Sequence, residues 1–237
     1  AFIADKEKLS SYEAYSSINH IILEDEKWKD PYKEIQAQVN IFKSKFKWSP
    51  AEAYMESRWI DAITAQHYSL WYADSWFFAN RVIFPIKNMY GQFVWMTART
   101  LQNEDPKYKN SRATGIFSKK RLLYGYDPEF KYESYILVEG QMDVIKLQSI
   151  WYGNAVCSSG TAINRDQLIK LWHVHILFDQ DEAWEKATKR TVELCEEIGI
   201  TYSIVTLNGA KDPDEFISNG WDIFSVVPYE INVERIE

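Results

Sequence analysis

From residue 135 onward the chain alternates between short apolar runs and helix-period stretches, and this alternation is its strongest structural constraint. The runs at 135–138, 154–158, 175–178 and 201–207 read as strands. Between them lie helices from about 142 to 150, from a cap at Asn164 to about 171, and from about 182 to 198, the last stopped by Gly199. Strands that are apolar throughout and separated by helices belong to a parallel sheet covered on both faces. In such sheets ligands bind at the carboxyl ends of the strands. The predicted class is therefore α/β, with a mixed α+β region ahead of the sheet.

The upstream half has a different grain. Residues 1–80 read as helical. Leu9, Tyr12, Tyr15 and Ile18, and later Ile35, Val39 and Phe42, recur at three- and four-residue steps. Ser49-Pro50 with Glu52 is a helix start, with Ser49 as the cap, and the helix runs to about Ser57. At Arg81 the pattern turns to β: the runs 81–87 and 92–99 flank a turn at Tyr90-Gly91 and predict a hairpin. Residues 101–121 show no periodicity. The boundaries predicted on this basis are a mostly helical region over 1–80, a β-rich basic subdomain over 81–130 and the parallel-sheet domain over 131–237.

The strand ends carry acids. The 135–138 strand runs into Glu139-Gly140, with Asp143 four residues after Glu139. The 175–178 strand runs into Asp179-Gln180-Asp181, and the 201–207 strand is followed by Lys211-Asp212-Pro213-Asp214-Glu215. Three strand ends thus present carboxylates toward one rim, a repulsive arrangement unless cations enter it. Hard oxygen donors in this number suit Mg²⁺ or Mn²⁺. The expected metal-ligating set is Glu139, Asp143, Asp179, Asp181, Asp212 and Asp214. Taken singly each could be a solvated loop acid or a helix cap, as Asp181 could be.

The chain as a whole is acidic, with a net charge of -7, which argues against a general nucleic-acid coat. One stretch runs the other way. Between residues 99 and 121, Arg99, Lys107, Lys109, Arg112, Lys119, Lys120 and Arg121 face only Glu104 and Asp105. Cations mixed with Asn110 and Ser111 suit phosphate contacts, and Tyr108 could stack on a base.

These motifs resemble a known family. Val138-Glu139-Gly140-Gln141-Met142-Asp143, Asp179-x-Asp181 and Lys211-Asp212-Pro213-Asp214-Glu215-Phe216 are similar to the TOPRIM domain as bacterial-type DNA primases carry it. Ser158-Ser159-Gly160-Thr161-Ala162 is similar to the stretch between the first two metal motifs. Upstream, Arg81 to Ile86, Arg99, Pro106 to Ser111, Phe117-Ser118-Lys119 and Leu123-Tyr124-Gly125 resemble the subdomain that precedes TOPRIM in primases. The resemblance covers about 49–217 and leaves residues 1–45 unplaced. It implies template-directed synthesis of RNA primers by two-metal nucleotidyl transfer. Glu139, Asp179 and Asp181 would be catalytic, with Glu139 either a metal ligand or the general base. Arg81, Arg99, Lys107, Asn110 and Lys119 would hold single-stranded template and nucleoside triphosphates. A replicative helicase and a zinc-binding module outside this chain are the implied partners. Departures are Gln180 where the family usually has Gly, Trp184 where it has a small residue, and Gln141 where it has an aromatic. They suggest a divergent member, as in phages or mobile elements. Two rival readings remain: a TOPRIM metal-dependent nuclease, and a non-catalytic DNA-binding module.

Cys157 and Cys195 are the only cysteines, with no Cys-x-x-Cys pair, so no cysteine zinc site or disulfide framework is expected. That fits a reducing, cytoplasmic setting. No apolar run approaches the length of about 18 residues that a membrane span needs. The start, Ala1-Phe2-Ile3-Ala4-Asp5, lacks Met and has no signal-peptide pattern, which reads as a piece of something longer. His20, His67, His173 and His175 have no zinc spacing and read as structural or surface residues. Trp48, Trp59, Trp71 and Trp76 read as core rather than as a base-stacking platform.

Overall fold

The computed structural model describes residues 46–227 except 89–91, 103, 112–118, 128–129 and 160–161, together with the backbone of 233–235. The side chains of Trp76 and Lys119 lie outside what is described, as do the helical pattern expected over 1–45, the turn at Tyr90-Gly91, Arg112, Phe117-Ser118 and Gly160-Thr161. The described residues belong to one compact unit, 35–237.

Helix α1 (Pro50–Glu56) starts where the sequence places it: the Ser49 hydroxyl accepts from the Glu52 N–H, and Pro50 occupies the first turn. Helix α2 (Ala62–His67) is capped by Asp61 in the same way. An antiparallel sheet follows, in the order β1 (Trp71–Ala73), β2 (Arg81–Lys87), β3 (Phe93–Thr100) and β4 (Tyr108–Asn110). The predicted hairpin is present, with Arg81 opposite Thr100 and Pro85 opposite Met96. Strands β1 and β4 go beyond the sequence reading: three-residue strands are too short to show alternation. Because β1 pairs with β2, Trp71–Ala73 belongs to this sheet and not to a helical region ending at 80.

The second sheet is parallel, in the order β7 (Ala155–Cys157), β6 (Tyr135–Val138), β8 (His173–Ile176) and β9 (Thr201–Ile204). Its crossovers are α3 (Gln141–Ser149), α4 (Arg165–Leu168) and α5 (Trp184–Ile198). Helix α4 opens with the capping box of Asn164 and Gln167, and α5 closes on Gly199 at φ 75°. Strand β8 begins and ends two residues earlier than its apolar run suggests, so Leu177 and Phe178 separate it from Asp179. Helix α6 (Pro213–Ser218) follows β9, and β5 (Phe130–Tyr132) pairs with β10 (Val233–Arg235).

Alternation along the strands sorts the core. Val82, Phe84 and Ile86 of β2 join Ile136 and Val138 of β6 in one cluster, together with Ala51 and Met55 of α1 and Val144, Ile145 and Leu147 of α3. Tyr135 and Leu137 face the other way, toward Val174, Ile176 and Cys195. Ile83 turns to a third cluster with Trp71, Met96 and Ala98. The first cluster therefore runs from one sheet to the other. Gly125 sits at this junction at φ 83°, where a β-carbon would stand 2.5 Å from both the Ala155 carbonyl and Val144 Cγ1.

Candidate active site

The carboxyl ends of the central parallel strands open into a cleft of about 650 Å³. Glu139, Asp143, Asp179, Asp212 and Asp214 line it, and Arg58, Trp59, Arg99, Lys107, Tyr108 and Lys211 share its walls. Strand β6 delivers Glu139 one residue past its end. Gly140 opens α3, and a β-carbon there would lie 2.9 Å from Asp143 Oδ2, so only glycine lets the Asp143 carboxyl lie this close to the turn. Asp179 leaves the neighbouring strand by way of Phe178. Gln180 fills the place of the expected glycine without a positive φ. With its amide oriented to satisfy its neighbours, its side-chain N–H donates to the Leu207 carbonyl at 2.9 Å and its oxygen accepts from the Leu207 N–H at 2.7 Å. The Gln180 N–H also donates to the Lys211 carbonyl. The Asp179 turn is thereby tied to the loop that carries Lys211 and Asp212.

The acids act on one another electrostatically. Burial first, then Asp179 and Asp181, push the Glu139 carboxyl up to about 7. Burial, then Asp212 and Asp181, push Asp179 up to about 6, against the pull of Lys107 and Lys211. Asp143, only 8% exposed, is held well above the ordinary carboxylate range by burial and then by Asp179, Asp212 and Asp214. Asp179 Oδ1 is buried with no hydrogen-bond partner among the described residues. A buried acceptor aimed into a cluster of like charges fits a divalent cation. Among the described residues no three carboxyl, imidazole or thiol groups are gathered closely enough to enclose one ion.

Two of the six expected ligands are otherwise engaged. Asp214 pairs with Arg58 Nη1 at 2.5 Å and with the buried Lys146 Nζ at 3.7 Å. Asp212 caps α6, its Oδ1 accepting from the Glu215 N–H at 2.7 Å. Asp181 is exposed and is not the cap of α5, whose N-cap is Ala183; its Oδ1 accepts from the Ala183 N–H within the preceding loop, while its charge still reaches Glu139 and Asp179.

The expected phosphate-binding residues separate. Arg99 and Lys107 line the cleft and also an adjoining groove of about 330 Å³, which Arg58 shares. Arg99 stands opposite Tyr108 across β3 and β4 and donates to its hydroxyl at 3.0 Å. The Tyr108 ring lies beneath Arg99 and Lys107, so it is already engaged by cations. Arg81 contradicts the expectation: it is 1% exposed and donates to the Lys107 carbonyl, a structural strut behind the groove. Asn110 turns into the sheet, accepting from the Thr97 hydroxyl and, at 3.4 Å, from the Trp95 indole. Lys119 lies in a single 3-10 turn, with its side chain outside the described residues. Arg58 was missed, since a lone cation after a short helix carries no motif.

The remaining expectations divide as well. Cys157 and Cys195 are buried free thiols. His175 is buried between the Ser203 and Ser134 hydroxyls, a structural role. Trp71 is core at 1% exposure, but Trp48 and Trp59 are 87% and 78% exposed, contrary to the core assignment. No described helix is long and apolar enough to cross a membrane.

Comparison with known proteins places this arrangement. Residues 74–129 match the model of the DNA primase catalytic core, N-terminal domain, and residues 136–217 match the Toprim-like model. A DNA primase of Clostridium acetobutylicum is 38% identical over 171 residues, covering 65% of this chain and 29% of that protein. The chain thus spans under a third of the relative's length. The Aquifex aeolicus primase structure, comprising zinc-binding and RNA polymerase domains, is 27% identical with a TM-score of 0.72, over 92% of this chain and 66% of that one. A primase catalytic domain bound to single-stranded DNA shares the fold at a TM-score of 0.72 and 23% identity, over 81% of this chain and 77% of that one.

Proposed function

The chain belongs to the bacterial-type, TOPRIM-containing DNA primases, and from that premise we propose that its cleft joins nucleoside triphosphates into short RNA primers on a single-stranded DNA template. The observation that carries the reading is the meeting in one cleft of an acid cluster with a buried unpartnered Asp179 oxygen and a wall of Arg58, Arg99 and Lys107. Glu139 and Asp179, with Asp143 behind them and Asp181 at the rim, would hold Mg²⁺ or Mn²⁺. Bound there, the metal would neutralise phosphate charge and favour ionisation of the attacking 3′-hydroxyl. Asp212 and Asp214 serve the site mainly by fixing its walls.

Arg58, Arg99 and Lys107 face both cleft and groove, so template phosphates could follow the groove while the triphosphate sits in the cleft. Positioning is the larger share of phosphoryl-transfer catalysis, and tethered cations beside fixed acids supply it. Should Asp179 and Asp181 hold the metal without it, Glu139, whose carboxyl burial and Asp179 push up to about 7, would instead be placed to take the 3′-hydroxyl proton. The replicative helicase and the zinc-binding module belong to this proposal as partners outside the chain.

The test is synthesis of labelled RNA on a single-stranded template with Mn²⁺ or Mg²⁺, read beside cleavage of the same strand. The proposal expects primer synthesis that Asp179→Asn abolishes. Template cleavage without synthesis would replace it with the nuclease reading.

A further inference from the structure

We propose that Trp59 is a nucleobase platform at the mouth of the acid cleft. The inference rests on reading the cleft as a nucleotide site, and it assigns the one broad aromatic face on the cleft wall that no ring or cation covers among the described residues.

The backbone speaks first. Helix α1 ends in a Schellman closure: the Trp59 N–H donates to the Glu56 carbonyl at 2.9 Å and the Ile60 N–H to the Met55 carbonyl at 3.0 Å. Ile60 and Met55 are 1% and 0% exposed, so the closure is pinned by its apolar contact. Trp59 holds the left-handed position at φ 61°, where glycine is the usual occupant and a bulky side chain is strained.

The side chain is as unfavourable for the fold as the backbone. Trp59 lines the cleft yet is 78% exposed, and among the described residues no hydrogen bond or ring contact holds its indole. A large apolar ring in water and a β-carbon at a glycine position both work against stability, and among the described residues no side-chain hydrogen bond or ring contact offsets them. The other aromatic on the cleft wall, Tyr108, is covered by Arg99 and Lys107, as Tyr54 is by Arg58 and Arg99.

A nucleotide matches what surrounds Trp59. Its phosphates suit Arg99, Lys107 and Lys211, and its base is a flat ring that needs a face. Base-on-aromatic stacking tolerates any base, as a template-copying site requires. The base could be that of the incoming nucleotide or of the template strand.

Four probes separate these sources from a structural role, each titrated with Mn²⁺ present: ATP, inorganic tripolyphosphate, a labelled single-stranded oligonucleotide, and the same oligonucleotide with abasic sites. The variants are Trp59→Gly and Trp59→Phe. Trp59→Gly is expected to melt at or above the wild-type temperature, because glycine suits φ 61°. It should weaken one base-bearing probe about ten-fold while its base-free counterpart binds unchanged. Trp59→Phe should recover most of the loss. A loss for ATP identifies the incoming base, and a loss for the intact oligonucleotide identifies the template base. Equal loss for base-bearing and base-free probes, no loss for any, or a lowered melting temperature with binding intact would overturn the proposal. These readouts use binding alone, so they stand apart from whether the chain makes primers.

Discussion

Lys146 and Asp214 meet 3.7 Å apart beneath the acid cleft, with side chains only 5% and 11% exposed. Burial lowers the Lys146 pKa and the Asp214 charge opposes that fall. Lys146 also donates to the Arg58 carbonyl at 3.0 Å, so α3, α6 and the end of α1 converge on one pair. Removing Asp214 strands the buried Lys146 charge in the wall, and removing Lys146 takes away the tie to the Arg58 carbonyl and leaves Asp214 to Arg58 alone.

Lys146→Ala is therefore expected to destabilise the protein by about 3 kcal/mol, as measured by urea unfolding. Asp214→Asn should lose a comparable amount and leave Mn²⁺ affinity nearly unchanged, because its carboxyl is already neutralised by Lys146 and Arg58. A large loss of Mn²⁺ affinity by calorimetry in Asp214→Asn would make it a metal ligand after all.

The raised carboxyls predict how metal-free protein responds to pH. Glu139 rises from its ordinary 4.5 to about 7, and Asp179 from 3.8 to about 6. In the folded state both keep their protons to higher pH than in the unfolded chain. The stability that these two carboxyls contribute is therefore fully present below about pH 4, and it is lost as pH climbs through the ordinary values to about 7. Glu139→Gln and Asp179→Asn should each flatten that decline, and Mn²⁺ should oppose it. Chelator-treated wild type and variants whose melting temperatures change in parallel from pH 4 to 7 would contradict the clustering.

Arg81 and Lys107 should behave oppositely. Arg81→Ala empties an interior strut and is expected to lower the unfolding midpoint without changing the salt dependence of DNA binding. Lys107→Ala, at the exposed cleft edge, should leave stability within about 0.5 kcal/mol. It should reduce the slope of log affinity against log salt by about one contact. Identical salt slopes in wild type and Lys107→Ala would remove Lys107 from the phosphate track.

Gly125→Ala would place a methyl 2.5 Å from the Ala155 carbonyl and from Val144 Cγ1, at φ 83°. A destabilisation of at least about 2 kcal/mol is expected, read from the thermal or urea midpoint. A neutral substitution would mean the junction yields more readily than its packing suggests.

The parallel sheet and its acid rim were legible because apolar strands leave a strong pattern and because acids come soon after their ends: Glu139 at once, Asp179 after two intervening residues, and Asp143 in the first turn of the next helix. The roles within the rim were less so. That Asp214 answers to Lys146 and Arg58 depends on residues far apart in sequence, and no spacing rule links them. Arg81 looked like a phosphate ligand because its charge shows in sequence and its burial does not. Strands β1 and β4, three residues each, owe their state to pairing partners rather than to their own composition. Gln180 departs from the expected glycine, yet its amide substitutes a side-chain tie to Leu207 for backbone freedom. Trp59 looked like core because helical position and apolarity usually travel together; the left-handed turn that ends α1 breaks that link.

The apolar cluster that runs from Val82 and Phe84 to Ile136 and Val138 also governs how the cleft works. Arg99 and Lys107 stand on the antiparallel sheet, Glu139 and Asp179 on the parallel one, and a single close-packed interior joins their foundations. Such an interior does not shear gradually. On the proposed reading the described cleft would act as a fixed gauge rather than a pair of jaws, choosing between nucleotides by fit against walls that share one packed interior.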